Sequence, residues 1–595
     1  MIKPSDIIDY ISSEQAADNN EVELSEFLSN EAIEERGTGK FGLQIVEEKI
    51  NKRNKEYYFE CKDNESKFRP GDTVFIFNEH KKYEGKILES DFEQIVVSLS
   101  KKSNLDRNSK WSIKLQTQFL ATGIINALKS LSPGAPGWSY FSAVTGNEGL
   151  QSKVIPTAES HKNLSALNSY LEKHGVGLDE SQYNAIIKCL VMPRIHAVQG
   201  PPGTGKSTVL AIIAAILTSY GKRVAVLAPT HQAVNNALNT IYSFNPEIEI
   251  IKIGGELKNE GLNEGVKQEA FNKFDDEYSL RNRRRNPPIV GMTYHSAIFN
   301  LANRANSFAP NVLLIDEAGQ LSLPLGSVAG SCGAGSVMLF GDDMQMPPIF
   351  SSDLIGHKFS VSIFRQLRRL EESLISKLEI TYRMNSVLCN VTGNLFYKDT
   401  ESGGSFLRSH PSKADQKFRL NISEKVEPIF RQILNSDDSL VWVNTSTTDD
   451  KQINKNEAAV CAELVDICLK SGLNKNDIAV ITPYRKQAAE IRRRVLKNIN
   501  ADEIPIIDTV EKVQGASVEI IIISFVSSDP EYIFSMSNFL FSSNRINVSV
   551  SRAKTKAVIL CPKEMLETDP SHYEALVAQD QLKEIKSFSK TFTYN

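Results

Sequence analysis

The sequence is poor in the features that mark zinc-binding, secreted and membrane-spanning chains. Its seven cysteines form no CxxC pair, so a zinc module is not expected. No apolar stretch reaches the roughly 18 residues that a membrane-spanning helix needs. The first residues, MIKPSDIIDYISSE, lack the basic and then apolar run of a signal peptide. We therefore predict a cytoplasmic protein with no membrane partner.

The sequence also lacks a strong overall charge of either sign. Lys and Arg total 68 against 72 Asp and Glu, which gives a formal net charge of −4. A nucleic-acid partner is therefore not indicated by the overall charge, and it would have to be bound by local groups. With 595 residues the chain is too long for one hydrophobic core, and we expect roughly two to four domains.

The pattern of apolar residues divides the chain into regions of different structure. It predicts helix over residues 1–37 and short alternating strands over residues 40–100, which is typical of a small β-barrel. A cluster of Pro and Gly at residues 132–137 predicts a turn or linker. From about residue 180 onward, apolar β-branched runs alternate with helical patterns. This alternation predicts α/β structure with parallel sheets buried on both faces.

Residues 200–208 read GPPGTGKST, which matches the phosphate loop G-x-x-x-x-G-K-[ST] between an apolar strand and an apolar helix. The glycines let backbone N–H groups close around phosphates, and the start of the helix adds its positive end. Lys206 would reach the β and γ oxygens of ATP, and Ser207 would ligate Mg²⁺. The candidate nucleotide-binding residues of this loop are Gly203, Thr204, Gly205, Lys206, Ser207 and Thr208.

The sequence DEAG follows four apolar residues, Val312–Ile315, as expected at the carboxyl end of a buried strand. Asp316 suits the Mg²⁺ shell, and Glu317 suits the attacking water. Paired carboxylates are common on surfaces, but this apolar run favours a catalytic pair. ATP hydrolysis alone leaves the class open, because kinases, transporters and GTPases also use this loop.

The remaining segments, taken in chain order, resemble the motifs of superfamily 1 helicases, and specifically the 5′→3′ branch typified by the nonsense-mediated-decay helicase. The resemblance covers roughly residues 178–560 and implies two RecA-like domains that share one ATP site. The segments that carry it are LDESQ (178–182), APTHQAV (228–234), GMTY (291–294), GDDMQMPP (341–348), TYRM (381–384), ITPYRKQ (481–487), DTVEKVQG (508–515) and NRINVSVSRAK (544–554).

The resemblance assigns roles around ATP. Gln182 would read the adenine edge, and Tyr382 would stack on the adenine. Gln345 would sense the γ-phosphate, Arg383 would contact it, and Arg552 would take the place of an arginine finger. The candidate catalytic residues are Lys206, Glu317, Gln345, Arg383 and Arg552.

The resemblance also assigns nucleic-acid contacts. Hydroxyls and backbone amides in the loops that hold Pro229, Thr230 and Thr293 would bind phosphates. Thr509 would face the same track, and Tyr484 is a candidate platform on which a base would stack. A basic run at residues 281–285 is read either as phosphate contacts or as a solvated loop.

Two departures from the family pattern stand out. Ser517 lies where relatives usually place a glutamate that touches the ribose of ATP, and whether Glu519 replaces it is open. No zinc module or nuclease motif is recognisable in the sequence. A protein partner that supplies a nuclease or targeting function is therefore one possibility.

The sequence pattern and the resemblance together predict three parts. A helical stalk with a small β-barrel occupies residues 1–135, a first RecA-like domain 136–355 with an insertion at about 253–288, and a second 356–595. The resemblance implies an ATP- and Mg²⁺-dependent helicase or translocase that moves 5′→3′ on single-stranded DNA or RNA. Two alternatives are a nucleic-acid- or partner-stimulated ATPase that remodels complexes without strand separation, and a nucleotide-gated binding scaffold.

Overall fold

The structure, a computed structural model, describes residues 1–594 with short exceptions. The residues outside the description are 27–28, 36, 51–53, 62–63, 65, 67, 69–71, 91–93, 116–120, 149–156, 255–260, 280–287, 303–306, 351–353, 355, 400–402, 446–448, 501–502 and 514. The chain divides into two compact units. Unit 1 comprises Met1–Val198, Ser207–Gly341 and Pro348–Ser376, and unit 2 comprises Gln199–Lys206, Asp342–Pro347 and Lys377–Asn595.

Unit 1 begins with helices and a closed barrel of six strands. The helices are α1 Pro4–Glu26, α2 Asn30–Glu35, α3 Ala121–Ser130, α4 Trp138–Val144 and α5 Thr157–His174. The strands are β1 Gly39–Ile50, β2 Asn54–Glu60, β3 Thr73–Phe77, β4 Lys82–Ser90, β5 Gln94–Ser100 and β6 Trp111–Leu115. They close in the order β1-β2-β5-β4-β3-β6. Alternate residues such as Val74, Ile76 and Ile113 are fully buried, since successive strand residues point to opposite faces.

The rest of unit 1 is built on an eight-stranded sheet. Its strands are β7 Ile195–Gln199, β8 Val224–Ala228, β9 Ile250–Ile253, β10 Lys267–Glu269, β11 Ile289–Thr293, β12 Val312–Ile315, β13 Ser336–Gly341 and β14 Ile375–Lys377. Its helices are α6 Glu180–Leu190, α7 Lys206–Ser219, α8 His231–Phe244, α9 Phe271–Tyr278, α10 Tyr294–Leu301, α11 Leu323–Gly326 and α12 Ile363–Leu370. The strand order is β10-β9-β11-β8-β12-β13-β7-β14.

The second sheet lies in unit 2. Its strands are β17 Leu440–Thr445, β18 Ile478–Thr482, β19 Ile506–Thr509, β20 Val518–Ser524, β21 Ala553–Pro562 and β22 Lys590–Tyr594, and a small sheet pairs β15 Ile380–Thr381 with β16 Arg408–Ser409. The helices are α13 Ser386–Phe396, α14 Pro411–Ala414, α15 Pro428–Ile433, α16 Lys455–Lys470, α17 Arg485–Val495, α18 Val510–Val513, α19 Pro530–Ser535, α20 Ser537–Leu540, α21 Ser543–Val550, α22 Glu564–Glu567 and α23 Tyr573–Phe588. The larger sheet has the order β19-β18-β20-β21-β17-β22, with parallel pairing throughout.

Burial explains why the sequence forms these sheets. Every residue of β8, β12 and β13 is buried, as expected for parallel strands covered on both faces. The pairings β11–β8, β12–β8 and β12–β13 are parallel, so the loops that follow these strands lie at one edge of the sheet. The predicted α/β class, with a helical start, an N-terminal barrel and two parallel sheets, is confirmed.

Unit 2 contains a fully buried carboxyl group. Glu457 of α16 accepts hydrogen bonds from Thr445 Oγ1 at 2.8 Å, Ser524 Oγ at 2.6 Å and Val526 N at 3.0 Å. Burial outweighs these hydrogen bonds and raises the pKa of Glu457 to about 7. This carboxyl group is therefore expected to make stability depend on pH.

Two sequence predictions concern absent features. Across the described part of the chain, no helix combines the length and the apolar character needed to cross a bilayer. Among those same residues, no group of three or more His, Cys, Asp or Glu side chains is arranged to hold a metal ion.

Candidate nucleotide site

The predicted phosphate loop connects β7 to α7. Gly203 and Gly205 have φ angles of 76° and 78°, a left-handed conformation that favours glycine. Thr204 is buried, and its Oγ1 donates to the Pro201 carbonyl oxygen at 2.8 Å. Because α7 begins at Lys206, the first N–H groups of this 14-residue helix follow the loop directly. This arrangement suits an anion.

Within unit 2 the phosphate loop packs against the TYRM segment. Thr381 Oγ1 donates to the Pro202 carbonyl oxygen at 2.8 Å, and the Tyr382 N–H donates to the Gly203 carbonyl oxygen at 2.8 Å. A Cβ atom on Gly203 would lie 2.4 Å from the Arg383 Cβ and 2.8 Å from Thr381 Oγ1. A side chain at position 203 therefore has no room, and Gly203 and Arg383 are in direct contact.

Tyr382 is the exposed side chain of this segment. It is 36% exposed, and its ring stacks on that of His410 with centroids 4.6 Å apart and an angle of 27° between the planes. Sequence reasoning did not identify His410, which lies outside every motif and caps the start of α14. Together the two rings form an aromatic surface beside the phosphate loop.

Gln345, Arg383 and Arg552 also come together in unit 2. Arg552 Nη2 donates to Gln345 Oε1 at 3.1 Å, and Arg383 Nη1 donates to the Ser551 carbonyl oxygen at 2.9 Å. Burial, and after it the positive charge of Arg552, lowers the pKa of Arg383. The positive charges of Arg383 and Arg552 repel each other, and an anion bound between the two guanidinium groups would relieve this repulsion.

Asp342 anchors Gln345 from the other side. Its Oδ2 accepts hydrogen bonds from Gln345 Nε2 at 2.9 Å and from the Tyr397 hydroxyl at 2.6 Å. Burial raises the pKa of Asp342, and burial together with the Asp342 charge raises the pKa of Tyr397. Sequence reasoning missed Tyr397, which lies 55 residues from Asp342 along the chain.

The DEAG segment of unit 1 places its two carboxylates at the end of β12. Asp316 is buried, and its Oδ1 accepts a hydrogen bond from the Glu317 N–H at 2.9 Å. Glu317 has φ 52° and ψ 35°, a left-handed conformation that is rare outside glycine and is found at functional sites. The Ser207 hydroxyl and the Asp316 carboxylate are oxygen ligands of the kind Mg²⁺ prefers, with phosphate and water oxygens as the remaining ligands.

Gln182 has a structural role at the start of α6. The Asp179 side chain accepts a hydrogen bond from the Gln182 N–H at 3.0 Å, and Gln182 Oε1 accepts one from the Asp179 N–H at 3.2 Å. This is a capping box. The predicted contact between Gln182 and adenine stays a prediction.

The predicted nucleic-acid loops lie at strand ends. Thr230 and Thr293 cap α8 and α10 through hydrogen bonds from the N–H groups of Ala233 and Ser296. Thr293 pairs with Ala228 in the sheet, so the loop with Pro229 and Thr230 adjoins the start of α10. In unit 2, Thr509 ends β19, where it pairs with Thr482 of β18.

The structure places Tyr484 differently from the stacking role predicted for it. Tyr484 is only 7% exposed, its ring packs 5.6 Å from that of Phe539, and its hydroxyl oxygen accepts a hydrogen bond from Ser527 Oγ at 3.3 Å. A core side chain cannot offer a ring face to a base, so the structure contradicts this prediction. The basic run at 281–285 and Gln514 of the DTVEKVQG segment lie outside the described residues.

The structure shows how Glu519 is engaged. Its Oε1 forms an ion pair with Lys554 Nζ at 3.0 Å, and its Oε2 accepts a hydrogen bond from Thr555 Oγ1 at 3.1 Å. Ser517 is exposed. Glu519 therefore has a structural role within unit 2, and the question of the ribose contact stays open.

Comparison with known protein families finds matches in the parts of the chain that hold these residues. Two family models, each described as an AAA domain, match residues 177–360 and 359–564. The chain is 29% identical over 407 residues to the DNA replication ATP-dependent helicase/nuclease JHS1 of Arabidopsis thaliana, which covers 66% of this chain and 29% of that protein. It is 26% identical over 581 residues to Regulator of nonsense transcripts 1 of Dictyostelium discoideum, which covers 88% of this chain and 41% of that protein.

A solved structure of Arterivirus nonstructural protein 10 (helicase) aligns with a TM-score of 0.38 and 12% identity, over 87% of this chain and 78% of that chain.

The phosphate loop and the DEAG strand both lie in residues 177–360, which match the first of these AAA domain models. The curated relatives of the chain include a DNA replication helicase/nuclease and a regulator of nonsense transcripts. The chain spans less than half the length of these curated relatives.

Proposed function

We propose that the protein hydrolyses ATP to move 5′→3′ along single-stranded DNA or RNA, as a helicase or translocase. One observation carries the proposal: unit 2 brings residues 199–206 of the phosphate loop together with Arg383, and joins Gln345 to Arg552. A protein that bound ATP without hydrolysing it would have no use for a glutamine that is hydrogen-bonded to a second arginine. A motor needs both, because it must detect whether the γ-phosphate is present.

The proposed roles follow from the chemistry of each side chain. Lys206 binds the β- and γ-phosphates, and Arg383 and Arg552 bind the γ-phosphate as its charge develops. Glu317 orients the attacking water, and Gln182 and Tyr382 hold the adenine. Ser207 and Asp316 would hold Mg²⁺, which supplies neutralisation of phosphate charge when bound.

The link from ATP to the track runs through Gln345. Its side chain lies between the Asp342 carboxylate and the Arg552 guanidinium, so loss of the γ-phosphate would remove a charge that competes for Arg552. The hydrogen bonds of Gln345 then differ between the ATP and ADP states. Two alternating states of the track-facing loops are what directional movement requires.

The proposed track contacts are Pro229, Thr230, Thr293 and Thr509. Thr230 and Thr293 stand at the N-terminal ends of helices, where N–H groups and hydroxyls bind phosphate oxygens. Such contacts do not depend on the base sequence of the nucleic acid. They suit both DNA and RNA, and the curated relatives include a DNA replication helicase and a regulator of nonsense transcripts.

Two further points remain proposals. A protein partner could supply a nuclease or targeting function, since the curated relatives include helicase/nucleases longer than this chain. A cytoplasmic location also stays a prediction.

The rival activity is an ATPase that remodels complexes without separating strands, and it predicts ATP hydrolysis without strand displacement.

The test is a strand-displacement assay with matched duplexes that carry either a 5′ or a 3′ single-stranded overhang. The proposal expects ATP-dependent displacement from the 5′ overhang only, and none by the Lys206→Ala variant. Displacement from the 3′ overhang alone would refute the polarity. ATP hydrolysis that depends on nucleic acid but displaces neither duplex would favour the remodelling ATPase.

A further inference from the structure

We propose that Tyr397 is a positioning residue that fixes Gln345 for its contact with Arg552, through a ring that hydrogen bonds form and that the backbone of helix α21 and the two residues after it completes. The ring consists of Tyr397, Asp342, Gln345, Arg552 and Asn547. The proposal rests on the proposed function, because Gln345 matters only if the protein hydrolyses ATP at this site.

The first half of the ring runs from α21 to Asp342. Asn547 of α21 donates from Nδ2 to the Tyr397 hydroxyl oxygen at 2.8 Å, and that hydroxyl donates to Asp342 Oδ2 at 2.6 Å. All three side chains are buried. The phenol hydroxyl is thus used both as donor and as acceptor, and its proton is directed at the carboxylate.

The second half returns from Asp342 to the end of α21. Gln345 Nε2 donates to the same Asp342 oxygen at 2.9 Å, and Arg552 Nη2 donates to Gln345 Oε1 at 3.1 Å. Arg552 lies two residues after the end of α21, and its Nε donates to the Val548 carbonyl oxygen of that helix at 3.1 Å. The ring therefore begins and ends on one rigid element.

The same helix also holds the backbone of the Gln345 loop. Asn547 Nδ2 donates to the Met344 carbonyl oxygen at 2.7 Å, and Asn544 Nδ2 donates to the carbonyl oxygens of Asp343, at 3.1 Å, and of Gln345. The loop is therefore fixed at successive residues. What remains to be fixed is the direction of the Gln345 side chain.

Tyr397 decides that direction through Asp342. A glutamine amide has a donor end and an acceptor end, and Asp342 can only accept when it is ionised. It therefore selects the Gln345 Nε2 and turns Oε1 towards Arg552. Without the Tyr397 hydroxyl, a buried carboxylate loses a short charge-assisted hydrogen bond, and Asn547 loses an acceptor. Asp342 Oδ1 still accepts hydrogen bonds from the Met344 N–H at 3.1 Å and from Gln199 Nε2 at 3.4 Å, but Oδ2 then keeps only Gln345. A proton taken up on Oδ2 would release the Gln345 side chain.

The test is a double-mutant cycle on ATP hydrolysis. Wild type, Tyr397→Phe, Gln345→Ala and the double variant are assayed for kcat and KM with whichever single-stranded polymer stimulates hydrolysis. Tyr532→Phe is the matched control, because its hydroxyl also accepts a side-chain hydrogen bond, from Gln452 Nε2 at 3.1 Å, but it lies outside the ring.

The proposal expects Tyr397→Phe to lower kcat at least about tenfold, as loss of one hydrogen bond to a charged group predicts, with KM for ATP within about twofold of wild type. The double variant should be no slower than Gln345→Ala alone, and Tyr532→Phe should match wild type. A Tyr397→Phe enzyme with wild-type kcat, or effects that multiply in the double variant, would overturn it.

Failure of the proposed function gives a different result. If neither polymer stimulates wild-type hydrolysis, the motor proposal fails, and the same four proteins still test the ring by thermal unfolding. Stability losses of Tyr397→Phe and Gln345→Ala that do not add in the double variant support the ring. Losses that add contradict it.

Discussion

Gly203→Ala tests the packing of the phosphate loop against Arg383. The added Cβ would lie 2.4 Å from the Arg383 Cβ, and φ at this position is 76°. A non-glycine residue in the left-handed region costs about 1–2 kcal/mol, and overpacking a close contact costs typically about 1–3 kcal/mol more. The loop can relieve the contact only by moving away from Arg383, which separates the groups proposed to bind the γ-phosphate.

The expected result is a fall in kcat/KM for ATP of at least about tenfold, since about 1.4 kcal/mol corresponds to a factor of ten. Gly472→Ala is the matched control: φ there is 92° in the same unit, but no atom lies within 4 Å of the added Cβ. It carries the backbone cost without the collision, so its melting temperature should fall while its kcat/KM stays at the wild-type value. Equal kcat/KM for Gly203→Ala and Gly472→Ala would refute the reasoning.

Three further variants test other parts of the account. Lys206→Ala should lose ATP hydrolysis, because it removes the cation proposed to bind the β- and γ-phosphates; wild-type turnover would exclude Lys206 from the site. Arg552→Ala should still bind a fluorescent ATP analogue but lose about 10³-fold or more of stimulated hydrolysis; an equal loss of affinity would argue against an arginine finger. Glu457→Gln tests pH dependence, because the pKa of about 7 in the folded protein lies above the ordinary 4.5. Wild type should therefore lose stability relative to Glu457→Gln as the pH rises from 4.5 through 7, by about 3 kcal/mol in total; a difference in melting temperature that stays constant with pH would contradict this.

The sequence was sufficient to predict the elements that depend on local patterns. The run Val312–Ile315 before DEAG gave a buried strand, the glycines of GPPGTGKST gave a left-handed loop before a helix, and alternation near Thr73–Phe77 gave the barrel. Each depends on burial periodicity or on glycine conformation, which a short segment displays by itself. The domain boundaries at residues 135 and 355 stay predictions.

The sequence did not reveal contacts between distant segments. Tyr397 meets Asp342 across 55 positions, and His410 reaches Tyr382 from outside any motif, because folding and not spacing brings them together. Tyr484 was misassigned for a related reason. It lies inside a motif expected to face the track, but its ring packs among Tyr532 and Phe539, and a motif does not specify which of its side chains are buried.

The central claim is that ATP hydrolysis depends on a nucleic-acid track, and the steady-state ATPase rate tests it most directly. The rate would be measured without nucleic acid, with single-stranded DNA and with single-stranded RNA at one fixed salt concentration, because nucleic-acid binding weakens steeply with salt. The account predicts strong stimulation by at least one polymer, which the Lys206→Ala variant does not show. An equal wild-type rate under all three conditions would contradict it.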